Sequence, residues 1–286
     1  METFTAPDGT RLAYHVIGKG EPLLVLPGGA MRDSAYLGDL GGLSAHRALH
    51  MLDLRGTGRS ETPADTSSYR CDRQVADVEA LRAHLGLERA DVLGHSAGAI
   101  LATLYALRHP DRTGKLALVT PSLRAFGFDT TEEDYRSATA ARGVEGEPWF
   151  PAAWAALEAA FAGTATEADE ATLSPLYYGR WDATAQAHAA VAPGQLHPEA
   201  ARIYYSGGCR PDEIRAAAAG VASPVLILAG EFDAVPRPDA AKEAAALFPN
   251  GETAVLPAGG HYPWLDDADA FVRTLAGFLD RPLDRP

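Results

Sequence analysis

Cysteine is nearly absent from the chain. Cys71 and Cys209 are its only two, they stand far apart in sequence and they form no C-x-x-C, so neither a zinc site nor a redox motif is expected. Basic residues are also scarce, with 25 Lys and Arg against 38 Asp and Glu, a formal charge of −13. Affinity for phosphate backbones and anionic membranes rests on positive surface, so this balance argues against a nucleic-acid or membrane partner. No run of about 18 apolar residues occurs, which argues against a spanning helix. The first eight residues lack a basic stretch followed by an apolar one, so no signal peptide is expected and a cytoplasmic location is the default. None of the His, Cys, Asp and Glu spacings resembles a metal cluster, and neither metal nor cofactor is expected.

What is present is an ordinary globular composition, 47% apolar over 286 residues. A chain of this size buries enough surface to need no metal or disulfide staple. It is long for one ordinary domain and short for two. The order of elements resolves that. Residues 12–17, 22–26 and 48–54 read as strands, and 22–26 is the continuous apolar kind found in sheets covered on both faces. Val75, Val78, Leu81 and Leu85 then recur at helical spacing before Gly86. A strand at 90–93, a helix at 97–108 stopped by Pro110 and a strand at 116–120 follow. This alternation implies right-handed crossovers and a mostly parallel sheet flanked by helices. From 123 to 222 no strand appears, only alanine-rich helical stretches broken by Gly and Pro. Strands return at 224–229 and 253–256, and an amphipathic helix closes the chain at 266–279. The expected organisation is an α/β core of residues 1–122 and 223–286, interrupted by an all-helical cap, or lid, of residues 123–222.

Gly94-His95-Ser96-Ala97-Gly98 matches G-x-S-x-G between an apolar strand and a helix, the context of a nucleophile elbow. A serine hydroxyl needs a base held by a third group. His261, in Gly259-Gly260-His261 after the last strand, and Asp233, in Gly230-Glu231-Phe232-Asp233 after the strand before it, are the candidates. Both leave the sheet at the edge where Ser96 lies, in the chain order Ser, Asp, His. Glu231 is a second candidate acid, nearer the strand end. Ser96 then attacks, His261 moves the proton and Asp233 holds the imidazole tautomer. The N–H of Ala97 and one from Gly28-Gly29, with Gly29 favoured, are the candidate oxyanion donors. His46, His50, His84 and His109 read as structural, and His95 is expected to point into packing or to line the site.

Together with Pro27-Gly28-Gly29 and Asp53-Leu54-Arg55-Gly56-Thr57-Gly58-Arg59-Ser60, these motifs resemble the α/β-hydrolase superfamily, and within it the proline-iminopeptidase-like branch. The resemblance spans essentially the whole chain and implies the α/β-hydrolase fold. Some departures from that branch are visible. The oxyanion run is Pro27-Gly28-Gly29-Ala30-Met31 where the branch has His-Gly-Gly-Pro-Gly, and the elbow is closer to those of esterases and thioesterases. The nucleophilic Ser also separates the chain from epoxide hydrolases and dehalogenases, which use an aspartate.

The segment 123–222 holds twelve of the 23 aromatics, which suits a small, largely hydrophobic substrate. Trp149, Trp154, Tyr178, Trp181, Tyr204 and Tyr205, with Gly28 and His95, are the candidate substrate-binding residues. Its acidic excess, 14 acids against seven basic residues, is expected to disfavour anionic substrates. The expected activity is a serine hydrolase acting on an ester, thioester or amide of a small molecule. A proline-iminopeptidase-type aminopeptidase, or an acyltransferase or ring-closing enzyme with the same triad, stands as the alternative. Oligomeric state is open.

Overall fold

The computed structural model describes residues 1–207 and 209–282, with backbone alone for Glu167 and Glu170. Eight strands form one sheet: β1 (Glu2–Thr5), β2 (Arg11–Ile17), β3 (Pro22–Leu26), β4 (Ala48–Leu52), β5 (Ala90–His95), β6 (Thr113–Val119), β7 (Val225–Gly230) and β8 (Gly251–Leu256). Their spatial order is β1-β2-β4-β3-β5-β6-β7-β8. The two pairs at the β1 edge are antiparallel, and every pair from β4 to β8 is parallel. The first strand was not expected, because Glu-Thr-Phe-Thr has little apolar signal beyond Phe4. It forms by pairing with β2 and burying Phe4 alone.

Alternation along the strands divides the core between two faces. Leu24, Leu26, Val92, Leu118 and Ile227 pack beneath helices α1 (Cys71–His84) and α2 (Gly98–Arg108). Leu23, Val25, Leu93, Val119 and Leu228 face the opposite way, towards Trp264, Phe271, Leu275 and Phe278. A strand buried on both faces has no polar position to spare, which is why 22–26 reads as unbroken apolar sequence.

Between β6 and β7 the described residues form six α-helices: α3 (Glu132–Arg142), α4 (Phe150–Phe161), α5 (Glu167–Thr172), α6 (Ala183–Ala190), α7 (Pro198–Tyr204) and α8 (Pro211–Ala218). Three more follow, α9 (Pro238–Ala245), α10 (Pro263–Asp266) and α11 (Ala268–Leu279). The block from α3 to α8 carries a small core of its own, with Tyr135, Ala153, Ala156, Leu157 and Leu176 buried. It also meets the sheet core directly. The Cys71 and Cys209 thiols, distant in sequence, lie 3.8 Å apart where α1 meets this block. No helix among the described residues is long and apolar enough to cross a membrane.

Candidate active site

Strand β5 runs straight into the elbow. Ser96 sits at φ +52°, a left-handed conformation that costs a non-glycine residue about 1 kcal/mol or more. Both flanking glycines are required by close approach. A Cβ on Gly94 would lie 2.6 Å from the Gly98 carbonyl oxygen, and one on Gly98 would lie 2.4 Å from that of Leu26. The backbone holds the strain: Ser96 N–H donates to Val119 O, and Ser96 O accepts from Ala99 and Ser122 N–H, each at 3.0 Å.

Two further loops leave the same sheet edge, after β7 and β8. They bring Asp233 and His261 to Ser96. Ser96 Oγ lies 2.9 Å from His261 Nε2, and His261 Nδ1 lies 2.8 Å from Asp233 Oδ2. The other Asp233 oxygen, Oδ1, accepts the Val235 N–H at 2.9 Å. Burial pushes the Asp233 carboxyl up from its ordinary value, with His261 opposing the shift. Glu231 does not join the set: it is exposed, and its Oε2 accepts the Ala258 N–H. The backbone of His261 is fixed from three sides, donating to Tyr177 O at 2.7 Å and accepting from Thr120 Oγ1 and His95 Nε2.

The glycine turn after β3 lies beside the serine. Gly28 N–H is already used, donating to the Tyr36 hydroxyl at 2.7 Å. No acceptor among the described residues takes the N–H of Gly29 or of Ala97. Gly29, Ala30 and Met31 all have positive φ, three successive left-handed residues in one turn. Such strain persists only where the surroundings over-determine it.

A buried chain of hydrogen bonds ties these loops together, and each proton in it can be assigned. Carbonyls only accept, so His95 Nε2–H donates to His261 O at 3.0 Å and His95 Nδ1 must accept from Tyr36 OH at 2.6 Å. Tyr36 OH in turn accepts from Gly28. Burial holds the His95 pKa well below the usual imidazole value, which keeps the ring neutral and its Nδ1 an acceptor. His188 of α6 caps the network, with Nε2–H donating to Tyr36 O at 3.0 Å and Nδ1 accepting from Tyr178 OH at 2.7 Å. Asp266 is a further clasp. Its Oδ2 accepts from Gly260 and Gly179, joining the His261 loop to the helical block.

Burial, then the charge of Arg32, lowers the His188 pKa from 6.5 to about 4. The unfolded chain protonates this imidazole near pH 6.5, whereas the folded one resists until pH 4. Its contribution to stability is therefore complete above pH 6.5 and is lost as pH falls towards 4. After a discount for partial exposure, about 2 kcal/mol is at stake. His188→Gln keeps an acceptor and a donor without titrating. Unfolding free energies from urea melts at pH 7.5 and 4.5 should differ less in the variant than in the wild type, by that amount.

A cavity of about 780 Å³ opens over Ser96 and is lined by Gly29, Arg32, His95, His261 and Tyr262 from the sheet side. From the helical block come Tyr135, Phe161, Tyr177, Tyr178, Leu196 and Tyr205. Of the aromatics singled out in sequence, Tyr178 and Tyr205 line it, as does His95. Trp149 and Trp154 do not; they pack at the edge of the helical block's own core. Trp181 rests against Tyr178 at 5.3 Å between ring centroids. Tyr204 is fully buried and donates its hydroxyl to Ala97 O at 2.9 Å, which braces the elbow from behind. Gly28 is not among the lining residues and serves through Tyr36. Arg32, Tyr36 and Asp266 carried no motif in the sequence. The Asp53-to-Ser60 run proves to be a structural knot. Asp53 accepts from Ser34, His15 and Arg59, and Arg55 is bidentate on Asp77. Among the described residues no group of three His, Cys, Asp or Glu side chains could hold a metal.

The chain matches the family model described as alpha/beta hydrolase fold over residues 21–268. A proline iminopeptidase of Heyndrickxia coagulans is 33% identical over 127 residues, which is 43% of this chain and 44% of that protein. The match thus spans less than half the length of the curated relatives. A proline iminopeptidase from Mycobacterium smegmatis superposes with a TM-score of 0.73, at 23% identity and 97% coverage of both chains. An esterase from Rhodococcus sp. ECU1013 gives 0.70 at 26% identity, covering 97% of this chain and 98% of the other. The sheet order, the strained serine after β5 and a family match over most of its length agree: this chain belongs to the alpha/beta hydrolase fold family.

Proposed function

We propose that the protein is a serine hydrolase cleaving an ester, thioester or amide of a small molecule through an acyl-Ser96 intermediate. The observation that carries this reading is the continuous contact Ser96 Oγ–His261 Nε2–Asp233 Oδ2, at 2.9 and 2.8 Å, beside two unused backbone donors. His261 Nδ1–H donates to the carboxylate, so Nε2 is free to accept the serine proton as Oγ attacks the carbonyl carbon. The developing oxyanion takes the N–H groups of Gly29 and Ala97. Collapse of the tetrahedral intermediate expels the leaving group, which receives the proton from Nε2. Water then attacks the acyl-enzyme with His261 as base, and the acid product departs. Residues 123–222 act as a cap over residues 1–122 and 223–286, supplying the aromatic wall of the cavity.

The aminopeptidase reading is less well supported. Recognition of a free amine calls for a carboxylate in the cavity, and among the described residues Asp129 is the only acid lining it, already paired with Arg124 at 3.6 Å. Transfer of the acyl group to an alcohol or amine uses the same residues and is separated from hydrolysis by product analysis with an added alcohol.

A fluorophosphonate probe tests the core claim. It should label the wild-type protein at Ser96, located by peptide mass spectrometry, and leave Ser96→Ala unlabelled. Labelling that persists in the variant, or none in the wild type, overturns the assignment.

A further inference from the structure

Four arginines are buried among the described residues: Arg32, Arg47, Arg55 and Arg82. Three of them hold a carboxylate. Arg47 pairs with Asp91 and Asp280, Arg55 with Asp77 and Asp8, and Arg82 with Glu79. Arg32 is the exception. It is 3% exposed, and among the described residues no carboxylate lies within ion-pair distance of it. It is also the one that lines the cavity with Ser96 and His261.

Its present partners are neutral. Nε and Nη2 both donate to Gln195 Oε1, at 3.0 and 2.8 Å, and Nη1 reaches Tyr262 OH at 3.5 Å. The guanidinium carbon stands 4.2 Å from the Tyr36 ring centroid. A guanidinium has five N–H groups, so two remain without an acceptor among the described residues, one on each terminal nitrogen. A free N–H on each terminal nitrogen is what a guanidinium needs to grip a carboxylate with two hydrogen bonds. A charge taken out of water costs stability unless something of opposite sign meets it, and here only the cavity can supply that. Arg124, the other cavity arginine, is exposed and engaged with Asp129.

We infer that Arg32 is an anion-binding residue of the substrate cavity, and that the substrate carries a free carboxylate besides its scissile bond. The substrate class is thus a half-ester or half-amide of a small dicarboxylic acid, or an ester of a carboxylate-bearing alcohol. The acidic outer surface does not contradict this. Exposed charges are screened beyond about 8 Å at physiological ionic strength, whereas the buried Arg32 would meet its ligand at contact. The substrate statement rests on the serine-hydrolase reading; the binding role of Arg32 does not.

Two measurements test it on the full chain. The first compares kcat/KM for 4-nitrophenyl hydrogen glutarate with that for its neutral methyl ester. The wild type should prefer the acid by about tenfold or more, and Arg32→Met should collapse that ratio to about one, with Arg32→Lys between. A purely structural arginine would lower both rates together and leave the ratio standing. The second titrates glutarate and its dimethyl ester into Ser96→Ala by calorimetry. Glutarate alone should bind, and Arg32→Met in that background should abolish it. Turnover of both esters without a charge preference sinks the inference and leaves the hydrolase reading intact. Glutarate bound through Arg32 with neither ester cleaved does the reverse. Failure of Ser96→Ala to bind glutarate also overturns the inference, whether or not the arginine variants fold.

Discussion

Alanine in place of Ser96 is expected to lower kcat on an activated aryl ester by about 10⁵- to 10⁶-fold. The hydroxyl is the atom that His261 Nε2 addresses at 2.9 Å. Loss of Oγ leaves Asp233, His261 and the two free N–H groups where they are. A residual rate of about 10³ over the solution reaction should therefore persist, driven by the oxyanion donors acting on attacking water. Folding should be little affected, because alanine meets the same left-handed strain at φ +52° that serine does. The check is steady-state hydrolysis of 4-nitrophenyl acetate beside a thermal melt. A variant keeping more than about a hundredth of the wild-type rate would mean that another group is acylated.

What the sequence made legible here was governed by local rules. G-x-S-x-G is readable because two backbone approaches, Gly94 to Gly98 and Gly98 to Leu26, forbid a Cβ wherever this elbow forms. Asp233 and His261 are readable because loops after parallel strands must leave the sheet at one edge. Sequence favoured Asp233 over Glu231 by its place in the loop; that Glu231 is exposed and taken by the Ala258 N–H is a tertiary fact that sequence does not carry. The lining of the cavity was not legible. Aromatics at helical spacing in α4 can face the block's own core or the substrate, and periodicity does not say which; Trp149 and Trp154 pack with the core. Arg32 was invisible for a different reason. It follows a turn of three positive-φ residues, two of them not glycine, so nothing in Ala30-Met31 announces the direction of the next side chain. Net charge is no guide to the cavity either: −13 is a sum over the whole chain, whereas the cavity wall is set by single residues such as the buried Arg32.

Asparagine in place of Asp233 should cost about 10⁴-fold in kcat with little change in stability. The cause lies in which groups donate. Val235 N–H needs an acceptor, so the amide oxygen of the variant stays on the Oδ1 side and its NH₂ faces His261 Nδ1. That forces Nδ1 to accept, and the imidazole proton moves to Nε2. Nε2–H then points at Ser96 Oγ and cannot take its proton, although every heavy atom has kept its place. Stability is spared because burial already disfavours the charged carboxylate, and a neutral amide of the same shape carries no such penalty. Glu231→Gln is the matched control. Its side chain is exposed and bonds only a loop N–H, so turnover should stay within about threefold of wild type. The two variants are compared by ester kinetics and by urea midpoints. If Asp233→Asn keeps a tenth of the activity, or Glu231→Gln loses as much as it does, the acid has been assigned to the wrong residue.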